Sequence, residues 1–338
     1  MRHRVRRLFL RCCTVVCTIV VFLGLVGFNR IKQSSSSNTH LVEFKNKDKF
    51  ATVPSFLIGS LSWKPSEHKT TLITNRACTH YYYLLILVSS APSHLDRRNG
   101  IRKTWARDNT LKWPRWKTVF LVGQTRIQNV SEALLKEDKD FGDLVRGDYY
   151  ENYYNQTYKI QMGFEWAVRY CEYSFLLKVD DDVFVDTIRV TSYLSETSTP
   201  KKELYIGNLV SGVTPVRNEG KKWSVSLEEY SDTYYPDYCS GFGFVLSHDV
   251  VVVFVEVFDF VPFYKIDDVY VGILAKETGI QALHSPGFEN GVKVTDNLCI
   301  PFTDTLVRHG TLGECLLEIY NRSTVNHRHL YHLHFIPQ

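Results

Sequence analysis

"FLLKVDDDVFVD", residues 175–186, sets an apolar run of strand length against three consecutive carboxylates, Asp180, Asp181 and Asp182. Like charges so close repel one another, and at the end of a buried strand they also lose solvation. Such a triplet requires a positive partner. A divalent cation meets the need most simply, because hard cations take carboxylate oxygens and reverse the local electrostatics.

The chain before this stretch alternates in texture. "YYYLLILVSS" (81–90) is an apolar run of strand length, and "APSHLDRRNGIRKTWARD" (91–108) reads as a loop leading into a helix. "TVFLVG" (118–123) is a second buried strand, "SEALLKEDKDFG" (131–142) a helix and "DLVRGDYY" (143–150) a third strand. In "NQTYKIQMGFEWAVRYC" (155–171), Ile160, Phe164, Ala167, Val168 and Cys171 recur at helical spacing, one face of a packed helix. Strands alternating with helices of this length predict an α/β domain with a largely parallel sheet. Ligands of such sheets bind beyond the carboxyl ends of the strands, where the aspartates fall.

The formal charge of +4 over 338 residues misleads. Arg2, Arg4, Arg6, Arg7, Arg11, Arg30 and Lys32 belong to the first 32 residues, which hold no acid; the rest carries 33 basic against 36 acidic residues. That balance argues against a nucleic-acid binder. From Cys12 to Phe28 no side chain is charged, a length that spans a bilayer if Arg11 snorkels. The flanking cations keep the amino terminus cytosolic. The predicted organisation is a cytoplasmic tail (1–11), a transmembrane signal anchor (12–28), a stem (29–75) and one luminal domain (76–338); a cleaved signal peptide is the other reading of the apolar run. Sequons at Asn129, Asn155 and Asn321 agree with the secretory pathway. Of the five cysteines beyond the apolar run, Cys78, Cys171, Cys239, Cys299 and Cys315, none forms a C-x-x-C pair, which argues against zinc. Some should pair in an oxidising lumen, Cys171 and Cys239 among them, and an odd one remains.

The chain has no G-x-x-x-x-G-K-[ST] and no G-x-G-x-x-G after a strand. The acidic run lacks the glycine and glutamate of an EF-hand loop. A haloacid-dehalogenase phosphatase also has D-x-D after an apolar strand, but needs Thr or Val where Phe184 stands. What stays is a D-x-D, Asp180 and Asp182, at a strand end.

"RRNGIRKTW" (97–105), "FLLKVDDDVFV" (175–185), "YYPDYCSGFGFVLS" (234–247) and "IDDVYVG" (266–272) occur in this order. Each resembles a signature block of the β-1,3-galactosyltransferase and β-1,3-N-acetylglucosaminyltransferase family (glycosyltransferase family 31), over about residues 78 to 320. The resemblance implies a single-pass type II Golgi membrane enzyme with a GT-A-type nucleotide-sugar-binding fold, Mn²⁺ as cofactor, a UDP-sugar donor and a glycan acceptor on glycoprotein or glycolipid. UDP-galactose is the first donor it implies and UDP-N-acetylglucosamine the second; a relative that kept the fold and binds sugar without turnover is the third reading. Monomer and homodimer both stay open.

The same resemblance assigns roles. Asp182 becomes the direct metal ligand, Asp180 faces the ribose or the metal and its water, and Asp181 helps to place the substrate. "LVRHGTLGECLLEIY" (306–320) puts His309 on the family's metal-binding histidine, although Gly313 and Cys315 depart from the pattern. Asp268 falls on the aspartate of the Glu-Asp-Val-Tyr-Val-Gly block and is assigned as base on the acceptor hydroxyl, with Asp267 supporting it; the same pair also suits the first turn of the helix from Val269 onward. Ser89, Ser90 and Ala91, with Pro92, should meet uridine through their backbone. Arg98 belongs beside the nucleotide, its planar fork suited to a diphosphate or to a neighbouring carboxylate. Arg102 and Trp105 suit the same segment or the docking of its helix. Gly241 and Gly243 allow close approach, Tyr235 and Tyr238 offer sugar-stacking faces, and Trp223 in "KKWSV" suits the acceptor cleft.

Overall fold

The computed structural model describes residues 70–291, 299 and 304–333, with side chains up to 325 in the last segment. The expected cytoplasmic tail, anchor and most of the stem lie outside the described residues. In chain order the elements are β1 (Tyr81–Ser89), α1 (Leu95–Lys103), β2 (Trp116–Gln124), α2 (Gln128–Phe141), β3 (Leu144–Tyr150), α3 (Gln156–Tyr170), β4 (Glu172–Asp180) and β5 (Val183–Val185). There follow α4 (Thr187–Ser195), β6 (Tyr205–Val210), β7 (Tyr238–Ser247), α5 (His248–Glu256), α6 (Asp267–Thr278), β8 (Ala282–His284), β9 (Phe288–Glu289), β10 (Val307–His309) and α7 (Glu314–Leu333).

Seven strands form one sheet in the order β3-β2-β1-β4-β7-β6-β8. The first four run parallel, β7 lies antiparallel between β4 and β6, and β8 joins β6 in parallel. The sheet is thus mixed and largely parallel, as the alternation of strands and helices predicts. Period-two burial splits the strands between two cores. From β1, Leu85 and Leu87 join Ile160, Phe164, Phe254, Val269 and Leu274 from α3, α5 and α6. Leu84, Ile86 and Val88 point the other way, with Ile101, Leu134, Val190 and Ile319 from α1, α2, α4 and α7. Helices therefore cover both faces, which is what strands as uniformly apolar as β1 and β4 require.

Two helix ends show how the sequence sets the boundaries. Gly142 closes α2 in the left-handed region (φ 66°), its N–H returned to the Asp138 carbonyl. Asp186 caps α4 by accepting from the Arg189 N–H. A second, three-stranded sheet (β5-β10-β9) folds the end of the chain back over the carboxyl end of β4: His309 pairs with Val183, and the Thr311 N–H donates to the Asp182 carbonyl at 2.8 Å.

Among the described residues two disulfides form, Cys78–Cys171 and Cys299–Cys315. Cys239 does not pair, contrary to the expectation for it: it is the buried free thiol among the described cysteines, set in β7 with its Sγ 3.7 Å from the Leu283 carbonyl. Held in the sheet interior, it acts as a small apolar side chain, and burial pushes its thiol up to about 12.

Candidate active site

The carboxyl ends of β1 and β4, the first residues of β7 and the first turn of α6 surround a cleft of about 630 Å³. Asp180, Asp181, Asp182, Asp267, Asp268 and His309 all line it. Asp182 and Asp268 thus share one cavity.

The three aspartates after β4 take three different partners. Asp180 accepts from Lys178 Nζ at 2.8 Å. Its carboxyl, 39 % open to the cleft, is still raised above its usual range, by desolvation first and then by the charges of Asp267 and Asp182, while Lys178 opposes the shift. Asp181 is buried in the cleft wall: Ser90 Oγ (2.7 Å), His94 Nδ1 (2.8 Å) and Arg97 (2.9 Å) hold its two oxygens. It fixes the loop after β1, so its effect on a substrate passes through that loop. Asp182 Oδ1 is buried without a hydrogen-bond partner and lies 3.6 Å from His309 Nε2. The His309 ring stacks on Phe242 at 5.3 Å, and its Nδ1 is 3.3 Å from Asn290 Oδ1. An orphaned carboxylate oxygen beside an imidazole nitrogen suits a cation. Among the described residues no group of three or more His, Cys, Asp or Glu side chains forms a metal cluster; the pair leaves further positions to water or substrate oxygens.

Facing this end, α6 begins with Asp267 and Asp268. Its N-cap position is Ile266, without a side-chain hydrogen bond, and both aspartates fall in the first turn. Asp268 accepts from the Gly241 N–H (3.0 Å) and from a first-turn N–H, that of Val269 (2.9 Å). Desolvation pushes its carboxyl up to about 7; the neighbouring Asp267 adds to the rise, while Gly241, Lys178 and Val269 restrain it. A carboxylate of that basicity is suited to proton transfer near neutral pH.

Ser89, Ser90 and Ala91 line the cleft as expected. Arg98 does not, and its placement beside the nucleotide is corrected. The side chain is fully buried, forks onto both oxygens of Glu137 (2.7 and 2.6 Å), and donates to Ser90 Oγ and to the carbonyls of Ala91 and Pro92. A guanidinium suits a carboxylate as well as a diphosphate, and here the carboxylate is internal. Arg102 continues the network to Glu137 and Asp143, and Trp105 is core. Tyr235 is nine-tenths buried and hydrogen-bonded to Tyr264 yet lines the cleft, as does the half-buried Tyr238. Trp223 stays exposed, donating to Tyr153 Oη at 2.7 Å on the cleft's rim.

Two buried lysines beside the site escape a reading by motif. Lys159 lines the cleft, donating to the Ser90 carbonyl (2.7 Å) and Glu151 (2.8 Å). Lys178, behind the lining, is 1 % exposed near the carboxyl end of β4. Its signal is present in the sequence: a lysine inside "FLLKV" has no apolar role and requires an acid within reach.

A mixed α/β sheet with an acidic cleft beyond its strand ends defines an enzyme-type ligand site. The sequence pattern described as galactosyltransferase matches residues 96–286, more than half of the chain, which therefore belongs to that family of glycosyltransferases. His309 and Asn290 lie beyond the matched span. Beta-1,3-galactosyltransferase 5 of Pan paniscus is 35 % identical over 206 residues, 60 % of this chain and 68 % of that protein. Beta-1,3-galactosyltransferase 1 of Mus musculus is 28 % identical over 293 residues, 85 % of this chain and 89 % of that protein. Among solved structures, the galactosyltransferase LgtC in complex with donor and acceptor sugar analogs covers 71 % of this chain and 94 % of that one, at 11 % identity and a TM-score of 0.35.

Proposed function

We propose that the protein transfers galactose from UDP-galactose to a hydroxyl of a glycan acceptor with inversion, forming a β-1,3 linkage. The observation that carries the reading is the shared cleft: Asp180, Asp182, Asp267, Asp268 and His309 all line it, with His309 Nε2 3.6 Å from Asp182 Oδ1 and Asp268 Oδ2 accepting from the Gly241 N–H. Asp182, Asp180 and His309 would hold a divalent cation such as Mn²⁺, which when bound neutralises the charge of the departing diphosphate. The remaining chemistry belongs to the chain. The loop Ser89–Ala91 offers its backbone to uridine, braced from behind by Arg98, Asp181 and Lys159. Asp268 accepts the proton of the acceptor hydroxyl as that oxygen bonds to the sugar's anomeric carbon; the bond from that carbon to the phosphate oxygen breaks, and UDP leaves with the electron pair.

Relatives named beta-1,3-galactosyltransferases support this donor and linkage. The reading includes a type II Golgi membrane protein with a luminal domain; among the described residues no helix is long and apolar enough to cross a membrane, and the expected anchor falls outside them. The test is UDP release by the full-length enzyme against a panel of UDP-sugars and glycan acceptors, with Mn²⁺ and with EDTA, and the product linkage read by NMR. We expect metal-dependent release with UDP-galactose and loss of turnover in Asp268→Asn with UDP binding retained. Preference for UDP-N-acetylglucosamine would replace the donor, and no release with any donor would remove the enzymatic reading.

A further inference from the structure

Lys178 carries an ammonium into the interior of the sheet, where its side chain is 1 % exposed. It stands between Leu177 and Val179 on the central strand β4, flanked by β1 and β7. Its ammonium donates to Asp180 Oδ1 (2.8 Å) and to the Gly241 carbonyl, and lies 3.6 Å from Asp267 Oδ2. An ammonium has three donors, and three acceptors surround this one, each from a different element: β4, β7 and α6. Gly241 is thereby held at both of its polar groups, its carbonyl by Lys178 and its N–H by Asp268 Oδ2. The approach is close; a Cβ on Gly241 would sit 3.3 Å from that same Asp268 oxygen.

We propose that Lys178 is a positioning residue for the acid–base half of the site: one buried ammonium ties Asp180, Gly241 and Asp267 together and so fixes where Asp268 stands relative to the D-x-D end. This rests on Asp268 acting as base. Lys178 also sets the charge that Asp268 experiences. The groups around the pair are Asp180 at the end of β4 and Asp182 just after it, Asp267 from α6, Tyr153 after β3, Tyr205 from β6, Tyr235 before β7 and Tyr238 at its start. Burial holds all four phenols above their usual range, so they stay neutral at working pH. Lysine charge therefore opposes aspartate charge, and it lowers the proton affinity of Asp268 where Asp267 raises it.

The experiment measures kcat and KM against pH for full-length wild type, Lys178→Met, Asp267→Asn and the double variant, with unfolding curves for each. Lys178→Met should lower kcat at pH 7 at least tenfold, change the donor KM less than threefold, and move the acid limb of kcat about one pH unit or more upward. Asp267→Asn should move that limb downward. The double variant removes a lysine and an acid together, which protects its fold, and should return the limb near wild type while its kcat stays tenfold or more below that of Asp267→Asn. If Lys178 merely balances charge, the double variant matches Asp267→Asn in kcat; that result, or a folded Lys178→Met with an unmoved limb, overturns the proposal. Turnover surviving in Asp268→Asn would sink the base assignment instead, so the two failures are distinguishable.

Discussion

A carboxyl that holds its proton to about pH 7 changes stability as well as chemistry. In the unfolded chain Asp268 titrates at about 3.9, whereas in the fold desolvation raises it to about 7. Between those values the native state binds a proton that the unfolded state has lost, so this group's contribution to stability falls as pH rises through the window. Above pH 7 the penalty is complete and of the order of a few kcal/mol. Asp268→Asn should therefore melt higher than wild type at pH 8 when both are metal-free, and the gain should vanish near pH 4. Thermal unfolding across that range checks it; a variant less stable at pH 8 would mean that the carboxylate is stabilised in the fold. Residues of this kind are legible in sequence because clustered like charges beside an apolar run have few uses. Asp180, Asp182, Asp268 and His309 are readable in that way or by their blocks, and all face one cleft. Arg98 is not, since its fork meets phosphate and carboxylate equally well and only the fold reveals that Glu137 waits behind it.

At the scale of elements, α6 carries two of the cleft's aspartates and α1 holds the loop after β1 through Arg98, and each rests on a close contact. α6 packs on the start of β7 through Gly272, where an added Cβ would meet Tyr238 Cβ at 2.7 Å and the Asp237 carbonyl at 3.1 Å. Both obstacles are backbone or nearly so and cannot rotate away. Gly272→Ala should cost about 1–3 kcal/mol and, because the same helix carries Asp267 and Asp268, should lower kcat more than donor KM. An unchanged kcat with lowered stability would mean that α6 does not set the base. α1 is anchored by Arg98 on Glu137, both buried. Arg98→Ala leaves Glu137 sharing only Arg102, and removing one partner of a buried pair costs about 3–5 kcal/mol; urea denaturation should show a loss of that order. A loss of UDP affinity with stability intact would restore Arg98 to the nucleotide. β1, β2 and β4 are readable because each holds an apolar run, and β3 because it stands between two helical segments. β7, "YCSGFGFVLS", has glycines at two interior positions and no such run, so its place as the antiparallel member between β4 and β6 follows from tertiary pairing alone. The two- and three-residue strands β5, β9 and β10 offer no periodicity to read.

For the molecule as a whole, the cleft and the entry of the described chain lie at opposite ends of the parallel strands. The alternation of strands and helices makes the parallel half of the sheet readable, and with it the end at which ligands bind. It does not show how residues 70–78 enter. They run along β3, with Ile73 N–H on the Arg146 carbonyl (3.0 Å) and Asp148 N–H on the Thr71 carbonyl (2.6 Å), and then reach Cys171 through the bridge from Cys78. The bridge lies just before β1 and β4 begin, and the aspartates lie where those strands end, so nine strand residues, roughly 30 Å, separate them. A cross-link over 93 residues mainly restricts the unfolded chain, contributing about 2–4 kcal/mol. The double variant Cys78→Ser/Cys171→Ser should lose that order of stability and yet keep kcat and donor KM near wild type at 25 °C. The entering segment keeps its backbone hydrogen bonds to β3, and nothing in the cleft leans on the bridge. Activity and unfolding measured on the same preparation decide the matter. A kcat that falls with the bridge while the protein remains folded would show that the amino-terminal end of the sheet is coupled to the cleft, and the division between a structural end and a chemical end would not hold.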